Sequence, residues 1–100
     1  MDGRLGEMLE ASESARRIVD VASDKQATDI LLLDIRKVSS FADFFVIMTA
    51  DSRRQMTALT ECIVQEVESQ GVRLLGREGA NDSGWVLLDW GDVIVHLFGP

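Results

Sequence analysis

Asp89, Asp92 and His96 are the side chains best suited to chemistry, and they share one apolar segment, WVLLDWGDVIVHLF at residues 85–98. Carboxylates and imidazole bind divalent metal ions and also act as general acids and bases. The spacing argues against both uses, because Asp92 falls in a predicted turn and His96 lies well along the strand that follows. The chain has one histidine and one cysteine, and no motif combines a nucleophile, a base and a charge stabiliser. The sequence therefore predicts no catalytic residue, no metal site and no cofactor.

The same segment has the pattern of a β-hairpin. Gly91 and Asp92 form a two-residue turn signal between two β runs, since glycine adopts the positive φ that such turns need. This turn places Leu87 opposite His96. Alternation along the strands then separates two faces. The first is wholly apolar and is expected to pack under helices; it comprises Val86, Leu88, Trp90, Val93, Val95 and Leu97. The second, here named the mixed face, comprises Trp85, Leu87, Asp89, Ile94, His96 and Phe98.

The mixed face has two interpretations. Aromatic and aliphatic side chains around a few polar groups are typical of the centre of a protein interface, and a basic partner could pair with Asp89. In the other interpretation, another part of the same chain half covers this face, and Asp89 and His96 are hydrogen-bonded locally. The residues alone do not choose between them. A homodimer through this face is a further alternative.

Two helices are expected to position these strands. The first is predicted to start at a cap on Ser12 or Ser14, so that residues 1–11 form a flexible lead-in and residues 12–100 a single domain. The second shows a capping box at Ser52 and Gln55 and a glycine stop at position 71. Its apolar stripe is best explained as core. The stripe comprises Met56, Leu59, Ile63 and Val67.

Strands fill the remaining apolar segments. DILLLDI at residues 29–35 is predicted to be a strand buried on at least one face, paired with its neighbour FFVIMTA at residues 44–50. A further strand is expected within VRLLGRE, residues 72–78, before the hairpin. The order of the elements predicts an α/β fold, with a mixed β-sheet and helices mainly on one face.

Composition narrows the classes of function. The net charge of −7 argues against a general phosphate-binding surface and favours a basic protein partner. No apolar run approaches the roughly 20 residues that span a bilayer, so no membrane partner is expected. The first ten residues lack the order of a signal or transit peptide. A cytoplasmic location is the expectation.

Two stretches resemble a known family. ATDILLLDIRKVSSFADFFVIMTADSRRQMTAL, residues 27–59, and GWVLLDWGDVIVHLFGP, residues 84–100, are similar to the ribosomal silencing factor family, also called RsfS or Iojap-like. The resemblance implies a factor that binds the large ribosomal subunit through its protein number fourteen, blocks association with the small subunit and represses translation. It also implies a sandwich similar to nucleotidyltransferases but without their catalytic motif. The alternative is a nucleotidyltransferase-like protein that binds a nucleotide or acts as an enzyme.

The resemblance also implies site residues. The family's partner-binding surface falls on Trp85, Leu88 and Asp89, which overlaps the mixed face; Leu87 and His96 join it from that face. The predicted register puts Leu88 on the core face, so it acts through packing unless the strand twists there. Other matches to family positions are Asp43, Arg53 and Asp92. No sequence-specific contact with nucleic acid is expected.

Overall fold

The computed structural model describes residues 3–80 and 83–100, with the backbone alone for residues 3–10. Its elements are α1 (Gly3–Asp24), β1 (Thr28–Asp34), β2 (Phe44–Thr49), α2 (Arg53–Ser69), β3 (Gly76–Glu78), β4 (Trp85–Asp89) and β5 (Val93–Phe98). The strands form one sheet in the order β1-β2-β5-β4-β3. β2 and β5 are parallel, and the other three pairs are antiparallel. The predicted α/β fold with a mixed sheet is confirmed.

The core lies between the two helices and one face of the sheet. Strand alternation sends every second side chain of β2, β4 and β5 into this layer. The apolar face predicted for the hairpin is confirmed, since all six of its members are buried. The predicted α2 stripe is buried against the same core. The helices supply the other half of the core, through Ala11, Ala15, Ile18, Ala22, Met56, Leu59, Ile63 and Val67.

The predicted ends of α2 are also confirmed. The Ser52 hydroxyl accepts a hydrogen bond from the Gln55 backbone N–H at 3.1 Å, which satisfies one of the unpaired donors of the first turn. The Gln55 side-chain amide then donates to the carbonyl oxygens of Lys25 and Gln26, both at 2.9 Å. The start of α2 is thereby tied to the turn after α1. At the other end, Gly71 has a φ of +82° and terminates the helix.

The predicted start of α1 is wrong. The helix begins at Gly3, so neither Ser12 nor Ser14 caps it and most of residues 1–11 is helical. Ser14 is instead buried inside the helix, where its hydroxyl donates to the Gln70 Oε1 at 2.8 Å. The Ser14 hydroxyl thus bonds to a side chain on a distant part of the chain, whereas a capping serine bonds to the backbone N–H groups at a helix start. The boundary between a lead-in and a domain at residue 12 stays a prediction.

The expectation that β1 is buried on one face is also wrong. β1 is an edge strand, and α1 lies beside it without burying its leucines. Leu31, Leu32 and Leu33 keep 53%, 41% and 40% of their surface exposed, and only Ile30 packs partly against the core. The pairing of β1 with β2, which was predicted, is present but shifts register between Thr28 and Leu31. An apolar run therefore does not by itself indicate burial, because β1 keeps its leucines exposed at the edge of the sheet.

Candidate partner-docking face

The sheet has a second face, turned away from the core, which we name the open face. The register aligns its side chains in rows across the strands; the central row is Leu31, Ile47, His96, Leu87 and Glu78. The other members on β1, β2, β4 and β5 are Leu33, Phe45, Thr49, Trp85, Asp89, Ile94 and Phe98. These side chains are half-buried or exposed, whereas their strand neighbours on the core side of β2, β4 and β5 are buried. The open face is thus a largely apolar surface in contact with solvent.

The hairpin places the predicted mixed face within this surface. Every predicted cross-strand pair is present, including Leu87 opposite His96 and Trp85 opposite Phe98. The Trp90 backbone N–H donates to the Val93 carbonyl at 3.0 Å and closes the turn. Gly91 has a φ of +88°, as the turn requires. The residues of the mixed face therefore lie together as the sequence predicted.

His96 lies at the centre of the open face, on the central strand of the sheet. Its ring meets Phe45 edge to face, with centroids 5.1 Å apart. It also stacks with Phe98 at 6.4 Å. Partial burial lowers the pKa of His96 below its usual value, because the charged imidazolium loses hydration. At neutral pH the centre of the face is therefore uncharged and aromatic.

Asp89 has a local structural role. Its Oδ1 accepts a hydrogen bond from the Gly91 backbone N–H at 2.7 Å, which stabilises the hairpin turn in the manner of an Asx turn. This agrees with the second interpretation of the mixed face, in which Asp89 is bonded locally. The bond uses one of the two carboxylate oxygens. The side chain is half-buried and faces the open side of the sheet, so it can still present charge to a partner.

Leu88 lies on the opposite side of its strand. It is fully buried and pairs with Val95 across the hairpin. The strand does not twist it outward, so the predicted register is confirmed at this position. Any role of Leu88 in partner binding has to pass through packing beneath Trp85, Leu87 and Asp89.

The other matched positions do not converge. The backbone N–H groups of Asp43 and Phe44 both donate to the Asp92 carbonyl, at 2.8 and 3.0 Å, so Asp43 and Asp92 meet at one end of the sheet. Arg53 opens α2, beyond the other end of the six-residue strand β2, which spans about 17 Å. Within residues 3–80 and 83–100, no group of three or more potential metal ligands is found.

Sequence reasoning missed the part of the open face contributed by the first two strands. Leu31, Leu33, Phe45 and Ile47 extend the mixed face of the hairpin to a surface four strands wide. Alternation in FFVIMT indicates which side chains share a face. It does not indicate that β2 lies parallel to β5, because that pairing depends on a connection through α2, β3 and β4.

The comparisons with known proteins agree with this architecture. A family model described as "Ribosomal silencing factor during starvation" matches residues 8–100. The chain belongs to the ribosomal silencing factor family. It is 40% identical over 75 residues to the ribosomal silencing factor RsfS of Bacillus subtilis, which covers 75% of this chain and 64% of that protein. It is 34% identical over 92 residues to the RsfS of Chromobacterium violaceum, covering 92% of this chain and 75% of the relative.

Solved structures related to RsfS have the same fold. A crystal structure of a Chromobacterium violaceum protein matches with a TM-score of 0.83 at 34% identity, over 89% of this chain and 74% of that one. A Bacillus halodurans protein matches with a TM-score of 0.74 at 28% identity, over 98% and 83%. The chain is also 36% identical over 83 residues to the chloroplastic Iojap protein of Zea mays, of which it covers 36%. The bacterial relatives called RsfS are named for silencing and not for a reaction.

No helix in the part of the chain that the structure describes is long and apolar enough to cross a membrane.

Proposed function

We propose that this RsfS-family chain binds the large ribosomal subunit through its protein number fourteen, blocks association with the small subunit and so represses translation. The observation that supports this proposal best is the open face. It is largely apolar across β1, β2, β5 and β4, has aromatic rings at its centre and is not packed under α1 or α2. Apolar patches of this kind usually mark interaction sites.

The chemistry of the open face fits a protein partner of opposite charge. Half-buried Trp85 and Leu87 provide apolar area for the centre of an interface, where such anchors contribute most of the affinity. Asp89 and the net charge of −7 favour a basic partner and speed encounter with it. Covering neutral His96 costs less hydration than covering a charged imidazolium would. Leu88 supports these side chains from below.

Repression by this route requires no reaction. A factor docked where the small subunit approaches excludes that subunit by overlap of volumes, so the proposal includes no catalytic residue, no metal and no cofactor. It also includes no membrane contact and no sequence-specific contact with nucleic acid. We place the function in the cytoplasm, where ribosomes are found. Asp43 and Asp92 contribute to it by holding the hairpin against β2 through their backbone contact.

Sedimentation with ribosomal subunits tests the proposal. The purified protein is layered on a density gradient with isolated large subunits, and small subunits are then added. We expect the protein to move with the large subunit and the joined particle to decrease. If the protein stays at the top of the gradient and joining proceeds normally, the proposal is wrong.

A matched pair of variants assigns the effect to the open face. Leu87→Glu adds one negative charge in the centre of that face, and Gln65→Glu adds the same charge at an exposed position of α2. We expect Leu87→Glu to abolish co-sedimentation while Gln65→Glu retains it, with both proteins folded by circular dichroism. Equal behaviour of the two variants would exclude the open face as the docking surface.

A further inference from the structure

We propose that docking through the open face is acid-sensitive, because protonation of His96 weakens the hold of the chain on its basic partner. The inference rests on the proposed function, since it concerns the regulation of the same surface. His96 lies on β5, the central strand of the sheet, and its ring contacts Phe45 and Phe98 on the open face. A partner that covers the centre of this face therefore covers the imidazole.

The surroundings of His96 offer little to stabilise a positive charge. Its neighbours across β2 and β4 are Ile47 and Leu87. Two carboxylates share the face. Asp89 lies diagonally across β4 and accepts a hydrogen bond from the hairpin turn, and Glu78 lies in the same row two strands away, about 10 Å. Among the described residues neither forms an ion pair with the ring. Burial accordingly lowers the pKa of His96, with no opposing contribution from a carboxylate.

Docking disfavours the imidazolium further. The His96 side chain is half-buried in the free chain, and a partner removes water from the part that is still exposed. Loss of hydration penalises the charged form of the ring, and a basic partner adds repulsion between like charges. Both effects favour the neutral ring, so a protonated chain has to release its proton before it docks. The apparent affinity is then reduced to the fraction of chains in which His96 is neutral.

This coupling defines the sign and the size of the pH dependence. Well above the pKa of His96 in the free chain, nearly every ring is neutral and the affinity has its full value. The affinity falls as the pH passes down through that pKa: about twofold at the pKa itself and about fourfold half a pH unit below it. His96 is the single histidine of the chain, and histidine is the side chain whose ordinary pKa lies in this range. One substitution therefore isolates the effect.

Binding measured against pH for two matched chains tests the inference. The imidazole Hε1 resonance of the intact free chain first gives the pKa of His96. Fluorescence anisotropy then gives the affinity for isolated large subunits between about pH 5 and 8, for the unmodified chain and for His96→Gln. Glutamine is neutral at every pH, so the ratio of the two affinities cancels any effect of pH on the ribosome. We expect the ratio, unmodified over variant, to fall about twofold at the measured pKa and about fourfold half a unit below.

Two further variants keep the test decisive, with folding checked by circular dichroism at each pH. His96→Phe is the neutral reference if the glutamine itself prevents binding. His96→Lys carries a permanent positive charge, and we expect it to bind more weakly than the neutral reference at every pH. A ratio that stays constant or rises as the pH falls, or a lysine variant that binds as tightly as the neutral one, overturns this inference and leaves the proposed function standing. Failure of the unmodified chain to bind at any pH overturns both.

Discussion

Leu88 offers the sharpest test of how the open face is built, because the family resemblance assigns it to partner binding and the structure buries it completely. Leu88→Ala removes three buried carbons beneath the face and leaves a cavity. Such changes cost about 2–5 kcal/mol, against a total stability of about 5–15 kcal/mol for a small domain. Leu88→Met keeps the volume and should cost less than about 1.5 kcal/mol.

Urea denaturation measures the free energy of unfolding of each variant. Density-gradient sedimentation with large subunits measures its binding. We expect Leu88→Ala to lower the free energy of unfolding by at least about 2 kcal/mol and to weaken binding only as far as it depopulates or loosens the folded state. Leu88→Met should bind as the unmodified chain does. A Leu88→Met variant with unchanged stability and binding weakened more than about tenfold would refute the reasoning, because it would require direct contact between Leu88 and the partner.

Three further predictions concern the open face and the alternative function. Trp85→Ala should weaken binding by about 2 kcal/mol or more, near thirtyfold, if Trp85 is an anchor; unchanged affinity with intact folding would remove it from the site. The lowered pKa of His96 means that the unfolded chain binds its proton more readily. Its contribution to stability is therefore present above the ordinary histidine pKa and lost as the pH falls through that range toward the lowered value. His96→Gln should flatten this part of a stability profile measured by urea denaturation, and an unaltered profile would contradict the assignment. The nucleotidyltransferase-like alternative predicts a metal-dependent rise in melting temperature with nucleoside triphosphates, whereas we expect no shift.

The hairpin was predictable in detail because its information is local. Gly91 and Asp92 define the turn, and once the turn is placed, the pleat fixes every pair from Trp85–Phe98 to Asp89–Ile94. The same is true of α2, whose capping serine, glutamine and terminal glycine all lie within or beside the helix. In both elements the signal and the structure it determines are close neighbours along the chain.

The width of the open face was not predictable, because it depends on contacts between distant segments. Phe45 joins His96 only because β2 pairs with β5 in parallel. The exposure of Leu31 to Leu33 depends on β1 lying at the edge of the sheet. Ser14 was assigned to a helix cap from its local sequence alone. Its actual acceptor, Gln70, is 56 positions away along the chain, so the local sequence does not indicate this contact. Local propensity cannot supply such information.

The edge position of β1 has a consequence for how copies of this chain behave at high concentration. The outer rim of an edge strand is a template on which another strand can add, the first step toward fibrils. Here the regular ladder with β2 runs only from Leu31 to Asp34, because the register shifts before it and Asp29 has a left-handed φ of 51°. A second strand could extend regular pairing along four residues before the backbone turns away. That interruption, together with mutual repulsion between chains of charge −7, makes the leucine-rich rim a poor seed for aggregation.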